Sequence, residues 1–224
     1  EKEFGAFDFY TPKSGYLSKE WTKTYLLNTG LNLEKDGLII KPNFVWRRHF
    51  DKFALDKLKL RSRYLNHHRT DMYTPNVYFQ KETGFLGKLG SGLEYGEERI
   101  NSTNLGKHDR NHKSIFMDDS RDVTDKLSLG FSFRMDDFDT FHKVYTGSTN
   151  LRYMLFEANS IHCGVSRSIR IPSFTELYYS DPTTLGNANL ASEKSLNYEA
   201  GYDYTKKGLS SGFTLFFRQE KDFL

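Results

Sequence analysis

The sequence predicts an all-β fold: an antiparallel transmembrane β-barrel, present in part, to which these 224 residues contribute about eleven strands of a larger barrel. Three observations carry that prediction. No run approaches the roughly 18 apolar residues a spanning helix needs. Apolar and polar residues alternate with period two along most of the chain. The connections between the alternating segments sort into short and long, in turn, as they do in membrane barrels with tight turns at one rim and long loops at the other.

Composition bounds the reading. The chain is 37% hydrophobic, 16% aromatic and 27% charged, which fits neither a disordered tail nor a helical membrane protein. A mean hydropathy of -0.67 does not argue against a barrel, whose strands are apolar only at every second position. Thirty-two basic and 29 acidic residues leave a formal charge of +3, too small and too dispersed for a nucleic-acid footprint. The single Cys163 forms no internal disulfide. Glu1 opens without a secretory leader, which is expected to have been removed or to lie upstream.

In chain order, the first segment runs from Lys2 to Tyr10. Next, Trp21, Tyr25, Leu27, Leu31 and Leu33 oppose Glu20, Thr22, Thr24, Asn28 and Asn32. Leu38, Ile40, Phe44, Trp46 and Phe50 oppose Lys41, Asn43, Arg47 and His49, and Tyr73, Val77 and Phe79 oppose Thr74, Asn76 and Gln80. The clearest case sets Leu127, Leu129, Phe131, Phe133 and Met135 against Ser128, Gly130, Ser132, Arg134 and Asp136. Leu196, Tyr198, Ala200, Tyr202 and Tyr204 oppose Asn197, Glu199, Gly201 and Asp203, and Phe213, Leu215 and Phe217 oppose Thr214, Arg218 and Glu220. The second face is small and polar and meets water or another polar domain; strand by strand a sandwich could still bury the greasy face, and the sorting of connections by length decides for a barrel.

Short turns are expected at Glu34 to Gly37, Lys81 to Phe85, Ser120 to Lys126, Ala158 to Ser160 and Lys206 to Gly208. Long connections are expected at Thr11 to Lys19, Asp51 to Arg69, Asn101 to His112, Asp136 to Gly147 and Pro172 to Glu193. Strands of about 9 to 14 residues match the reach of a tilted strand across the hydrocarbon layer. An odd count, with a last strand ending at Leu224, predicts an incomplete barrel. No composition shift marks a boundary, so residues 1–224 read as one domain or part of one.

From Ser166 the chain reads SRSIRIPSFTELYY, then GNANL at Gly186 to Leu190 and EKSLNYEAG from Glu193 to Gly201. This resembles the TonB-dependent outer-membrane receptors, with Arg170, Pro172, Phe174, Glu176, Leu177, Tyr178, Asn187, Leu190, Glu193, Ser195, Tyr198, Glu199 and Gly201 at matching positions. FGAFDFYTP and SKEWTKT near the start are similar to an element of the vitamin B12 and siderophore receptor branch. Two positions depart from the family pattern, Ala188 standing for a proline and Ile169 for a phenylalanine. Haem-transporting relatives carry a histidine between the two boxes, and none occurs from Arg170 to Leu190.

The resemblance implies a partial receptor barrel over 1–224, in the bacterial outer membrane and in contact with its lipid. It implies energised uptake of a scarce small chelate, cobalamin or an iron siderophore, with the plug domain of the same full-length protein and the TonB complex as partners. No cofactor is implied. A passive porin or structural barrel is the alternative from another class, and a barrel hydrolase a third. No catalytic order of Ser, His and acid, no H-E-x-x-H and no phosphate-cradling Gly loop is present, so no enzyme is expected.

Tyr178, Tyr179 and Asp181, following the family box into a connection, are candidate substrate contacts, as are Arg61, Arg63 and Tyr64 in another. His67 and His68 share that connection, but adjacent strand residues point opposite ways, so chelation by both is awkward. Asp136, Asp137 and Asp139 offer hard oxygen ligands suited to calcium, or side chains that fix a turn. Arg170 and Glu176 are expected to pair structurally, and Trp21 and Trp46 to serve an interfacial belt.

Overall fold

A computed structural model describes residues 2–3, 17–61, 65–84, 87–180 and 185–222. The strands are β1 (Lys2–Glu3), β2 (Lys19–Gly30), β3 (Leu33–Lys35), β4 (Leu38–Ala54), β5 (Leu65–Thr83), β6 (Gly87–Ser102) and β7 (Gly106–Thr124), then β8 (Leu127–Phe138), β9 (His142–Phe156), β10 (Asn159–Arg170), β11 (Glu193–Lys206) and β12 (Leu209–Lys221). A five-residue helix, α1 (Phe174–Tyr178), lies between β10 and β11. The strands pair antiparallel in chain order from β1 to β12, with β3 continuing β2 along the edge of β4. Among the described residues no helix is long and apolar enough to cross a membrane.

Register places the two predicted faces on opposite sides of the sheet. Ile115, Met135 and Tyr145 stand abreast on neighbouring strands, as do Val165, Tyr198 and Phe217, and all are exposed or half-buried. Glu94, Ser114 and Asp136 stand abreast on the other side. A greasy row left uncovered by any other element among the described residues is what a lipid-facing wall requires, since exposed apolar area of this extent is costly in water.

Turn chemistry fixes one rim. Asp36 and Gly37 both take positive φ (50° and 73°), as do Lys207 and Gly208 (49° and 84°), which is the two-residue turn whose twist suits an antiparallel hairpin. At Thr124, the side-chain oxygen accepts from the Lys126 and Leu127 amides and closes another tight turn.

The opposite rim departs from expectation. The connections after β4 and β10 are long, and the one expected at Thr11 to Lys19 lies largely outside the described residues; those expected at Asn101 to His112 and Asp136 to Gly147 shrink to three residues each, 103–105 and 139–141. The strands are correspondingly longer, 19 residues in β5 and β7. Nineteen residues at about 3.3 Å, tilted by about 40°, rise about 48 Å against an apolar band about 25 Å tall, so these hairpins stand well clear of the hydrocarbon.

A candidate ligand site on the polar face at the long-loop rim

The connection after β10 folds back over the polar face. It begins with a helix set by its own sequence: the Ser173 hydroxyl accepts from the Glu176 amide (3.3 Å), and the Glu176 carboxylate accepts from the Ser173 amide (2.7 Å), a reciprocal cap. Burial works against the ionised Glu176 carboxylate, but hydrogen bonds from Ser173 and Arg170 outweigh it and hold the carboxyl below its ordinary range.

Arg170 closes the box on itself. Its guanidinium donates to Glu193 (3.0 Å) and to both oxygens of Glu176 (3.0 and 3.1 Å), so one side chain ties together the end of β10, α1 and the start of β11. The Gly186 amide donates to the Tyr179 carbonyl (2.6 Å) and the Asn187 amide to the Glu176 carbonyl (3.0 Å), which folds the chain onto the helix. A Cβ at Gly186 would meet backbone atoms of Glu176, Leu177 and Tyr178 at 2.8 Å, so only glycine fits there.

The helix then docks on the tips of β6 and β7. Phe174 is buried with Ile100 and Leu105, and Tyr178 and Tyr179 pack at the edge of that cluster. His108 donates from Nε2 to the Leu105 carbonyl (2.6 Å), and its ring lies flat on Tyr178, with centroids 3.6 Å apart and planes 3° apart. Arg110 makes three contacts at once: an ion pair with Glu98 (2.5 Å), a hydrogen bond to the Pro172 carbonyl (2.7 Å), and a guanidinium 4.8 Å from the centre of the Phe174 ring.

Below this dock the polar face carries a charged network. Arg134 donates to Glu94 (2.6 Å), Asp136 (2.9 Å) and Ser114 (2.9 Å), Ser114 donates to Asp136, and His112 reaches Glu94 at 3.4 Å. Glycines of β6 give large neighbours room: Phe116 lies across Gly92 and His112 across Gly96, where any Cβ would collide with their rings. An open recess of about 400 Å³ in the same face is lined in part by Phe116, Asp118, Ser132, Arg134 and Ser148.

The predicted site residues distribute unevenly. Tyr178 and Tyr179 join the dock, both half-buried, while Asp181 lies outside the described residues. Arg61 is exposed at the end of the described part of the connection after β4, and Arg63 and Tyr64 lie outside the described residues. His67 and His68 stand on opposite faces of β5.

The three carboxylates proposed for calcium are not brought together. Asp136 faces the polar side with Arg134, Asp137 is exposed on the other side, and Asp139 accepts from the Asn111 amide and side chain (3.0 and 3.2 Å). Among the described residues no group of three His, Cys, Asp or Glu side chains is placed to hold a metal ion. Asp136 and Asp137 are consecutive residues of β8 and point to opposite faces, so they do not converge on one ion.

The box residues beyond the dock take up structural positions. Leu190 donates its amide to the Asn187 carbonyl (3.2 Å), Glu193 is buried against Arg170, and Tyr198 sits on the apolar face with its ring 6.3 Å from that of Phe217. On the polar face Glu199 lies beside Gly164, and Gly201 gives way to His162. Sequence reasoning missed His108 and Arg110, which receive the box. Their one sequence trace is that His108, Arg110 and His112 alternate on a single face.

Comparison with known proteins adds the following. The family model described as TonB dependent receptor-like, β-barrel, matches residues 3–224. The vitamin B12 transporter BtuB of Photobacterium profundum is 26% identical over 129 residues, covering 57% of this chain and 21% of that protein. The ferric enterobactin receptor PirA of Pseudomonas aeruginosa is 25% identical over 124 residues, covering 46% of this chain and 16% of its own length. In fold, the crystal structure of the siderophore receptor PirA from Pseudomonas aeruginosa superimposes with a TM-score of 0.71 at 20% identity, over 90% of this chain and 39% of that one. The chain thus spans about a fifth of these two curated relatives or somewhat less, 21% and 16%, and about two fifths of the solved barrel.

Proposed function

Because this chain belongs to the TonB-dependent receptor β-barrel family, we propose that it forms part of the outer-membrane wall of a receptor for a scarce chelate, cobalamin or a ferric siderophore, imported with energy delivered by TonB. The two curated relatives are named as a transporter and a receptor. In this reading the long-loop rim faces outward and the short-turn rim the periplasm. The polar face, with the Arg134, Glu94 and Asp136 network, turns to the lumen and to a plug domain of the same full-length protein.

The observation that carries the reading is the docked connection after β10. A passive channel is served by a wall that leaves its lumen open, whereas here a capped helix is pinned across the polar face by Arg110 and Arg170 and carries Tyr178 and Tyr179 with it. Tyr178, Tyr179 and Asp181, with Arg61, Arg63 and Tyr64 on the connection after β4, are the side chains proposed to meet substrate. Rings and cations of this kind suit a bulky anionic chelate.

The test is uptake. The full-length protein is expressed in the outer membrane of a host with and without TonB, and accumulation of labelled cobalamin and of ferric siderophores is compared. TonB-dependent accumulation of either is expected and identifies the substrate class. Passage of small solutes independent of TonB, with neither chelate accumulated, would overturn the receptor reading in favour of a porin.

A further inference from the structure

At the long-loop end of β2, β4 and β5 the polar face carries ionisable side chains that the docked helix and the Arg134 network do not use. Asp51 stands in register with Thr22 of β2 and His68 of β5, Glu20 lies one diagonal step away across the β2 and β4 pair, and His49 is two residues back along β4. Asp51 lies 13 residues up β4 from Leu38. At about 3.3 Å per residue and about 40° of tilt that is a rise of about 33 Å, against an apolar band about 25 Å tall, so these groups stand outside the hydrocarbon.

Asp51 is poorly served as an anion. Its Oδ1 is buried and takes no hydrogen bond among the described residues, and its carboxyl group hydrogen-bonds with that of Glu20. Two carboxylates in contact repel when both are ionised, whereas one proton between them turns the contact into a hydrogen bond. The neighbouring imidazoles do not neutralise Asp51. His49 is bonded through Nδ1 to the Thr24 hydroxyl (2.8 Å), burial and then the adjacent His67 push the His68 imidazole toward its neutral form, and neither ring forms an ion pair with Asp51. Asp56, past the end of β4, is taken by the Leu58 amide (3.0 Å) and Lys59 (3.8 Å), and on β1 the register partner of Glu20 is Lys2. Burial pushes the Asp51 carboxyl above its ordinary range, outweighing His49 and Glu20, which act the other way.

The pair sits at the root of the connection after β4. Just above it the Ser18 hydroxyl donates to the Leu55 carbonyl (2.8 Å), the Lys57 amide donates to the Leu17 carbonyl (2.8 Å), and Ala54 is fully buried. We propose that Asp51 and Glu20 form a proton-held clasp between β2 and β4, closed while Asp51 as a carboxylic acid donates to the Glu20 carboxylate and loosened when that proton leaves two like charges, one with a buried unpaired oxygen. Because folded Asp51 holds its proton more tightly than an ordinary carboxyl, the clasp is complete in acid and is lost as pH rises through the raised value. Taking Arg61, Arg63 and Tyr64 as substrate contacts from the proposed function, the clasp sets how firmly the connection presents them and so regulates that same surface.

The test uses the full-length protein in nanodiscs and two readouts. Infrared spectroscopy follows the carboxylic acid C=O stretch in the wild-type protein and in Asp51→Asn. The band that the variant lacks is expected to titrate in the wild type with a midpoint above the ordinary Asp value of about 3.9. Hydrogen exchange, corrected for the intrinsic pH dependence of amides, follows peptides spanning residues 17–24 and 49–57. Opening there should rise by up to about ten-fold per pH unit as the proton leaves. In Asp51→Asn, whose amide still donates to Glu20, it should stay at the acid level at every pH. A wild-type midpoint at or below the ordinary value would overturn the proposal without reference to any variant, and so would an exchange profile that keeps its pH dependence in Asp51→Asn. Neither readout involves uptake, so failure of the clasp and failure of the receptor reading are distinguishable.

Discussion

Arg110→Ala should release the docked helix while leaving the wall intact. The side chain is largely buried, 13% exposed, and its three contacts all bear on the connection after β10 or on the Glu98 that orients it. A charged hydrogen bond to the Pro172 carbonyl contributes about 1.5 kcal/mol, the guanidinium over Phe174 about 0.5 to 1, and the partly exposed pair with Glu98 about 0.5 to 1. Together they amount to about 3 kcal/mol of docking free energy, or about a hundredfold in the ratio of docked to released connection. The Leu177 and Tyr179 amides report this directly, since their hydrogen bonds to the Ser173 and Thr175 carbonyls (3.1 and 3.0 Å) exist only while the helix does. Hydrogen exchange in the folded barrel, with folding checked by heat-modifiable gel mobility, should quicken at those amides by about two orders of magnitude and stay unchanged in β8 and β9. Unaltered protection at Leu177 and Tyr179 in the variant would refute the assignment of Arg110 as the pin.

Three further outcomes follow from the same geometry. Gly92→Val drives a side chain into the space of the Phe116 ring and should cost about 1 to 3 kcal/mol, read as a lowered urea midpoint for refolding into lipid vesicles. Glu176 has its folded pKa held below the ordinary value, so its capping and Arg170 contacts stabilise the helix above that value and are lost as pH falls through the lowered one; a carboxyl titration by NMR with a midpoint at or above the ordinary value would contradict this. Arg61→Gln with Arg63→Gln should raise the half-saturation concentration for an anionic chelate several-fold while leaving maximal uptake unchanged, and an unchanged half-saturation would remove both residues from the substrate surface.

The lipid-spanning part of the fold was legible because one face there is greasy and the other polar. Leu127 to Met135 and Phe213 to Phe217 announce their faces, and Asp36-Gly37 announces its turn. The part above the membrane was not legible, for a related reason. At the tips of β6 and β7 both faces meet water or protein, so Glu97, Arg99 and Asn101 on one side and Glu98 and Ser102 on the other carry no period-two contrast, although the ladder runs on unbroken through Ser102↔Gly106. Polarity on both faces reads as loop, and the connections at Asn101 to His112 and Asp136 to Gly147 were accordingly expected too long. The box at Arg170 to Gly201 was visible as a pattern, but its partners His108 and Arg110 were not, because 62 residues separate Arg110 from Pro172 and only the folded sheet brings them together.

Tall hairpins and a long connection therefore belong to one arrangement. A 22-residue segment between Arg170 and Glu193 has too few apolar residues to fold alone, and a five-residue helix is far below the length at which helices persist in water. It orders because β6 and β7 rise past the hydrocarbon and present Ile100, Leu105, His108 and Arg110 to it. Had those strands stopped at the rim, Phe174 would have no pocket and the capping box no wall to lean on. The overshoot that hid the strands from a reading of alternation is thus the same feature that holds Tyr178 and Tyr179 at the mouth. Shortening the tip, by deleting the Ile100–His108 and Asn101–Lys107 pairs together so that register is kept, should free the connection as fully as Arg110→Ala does while the lipid-facing wall still folds.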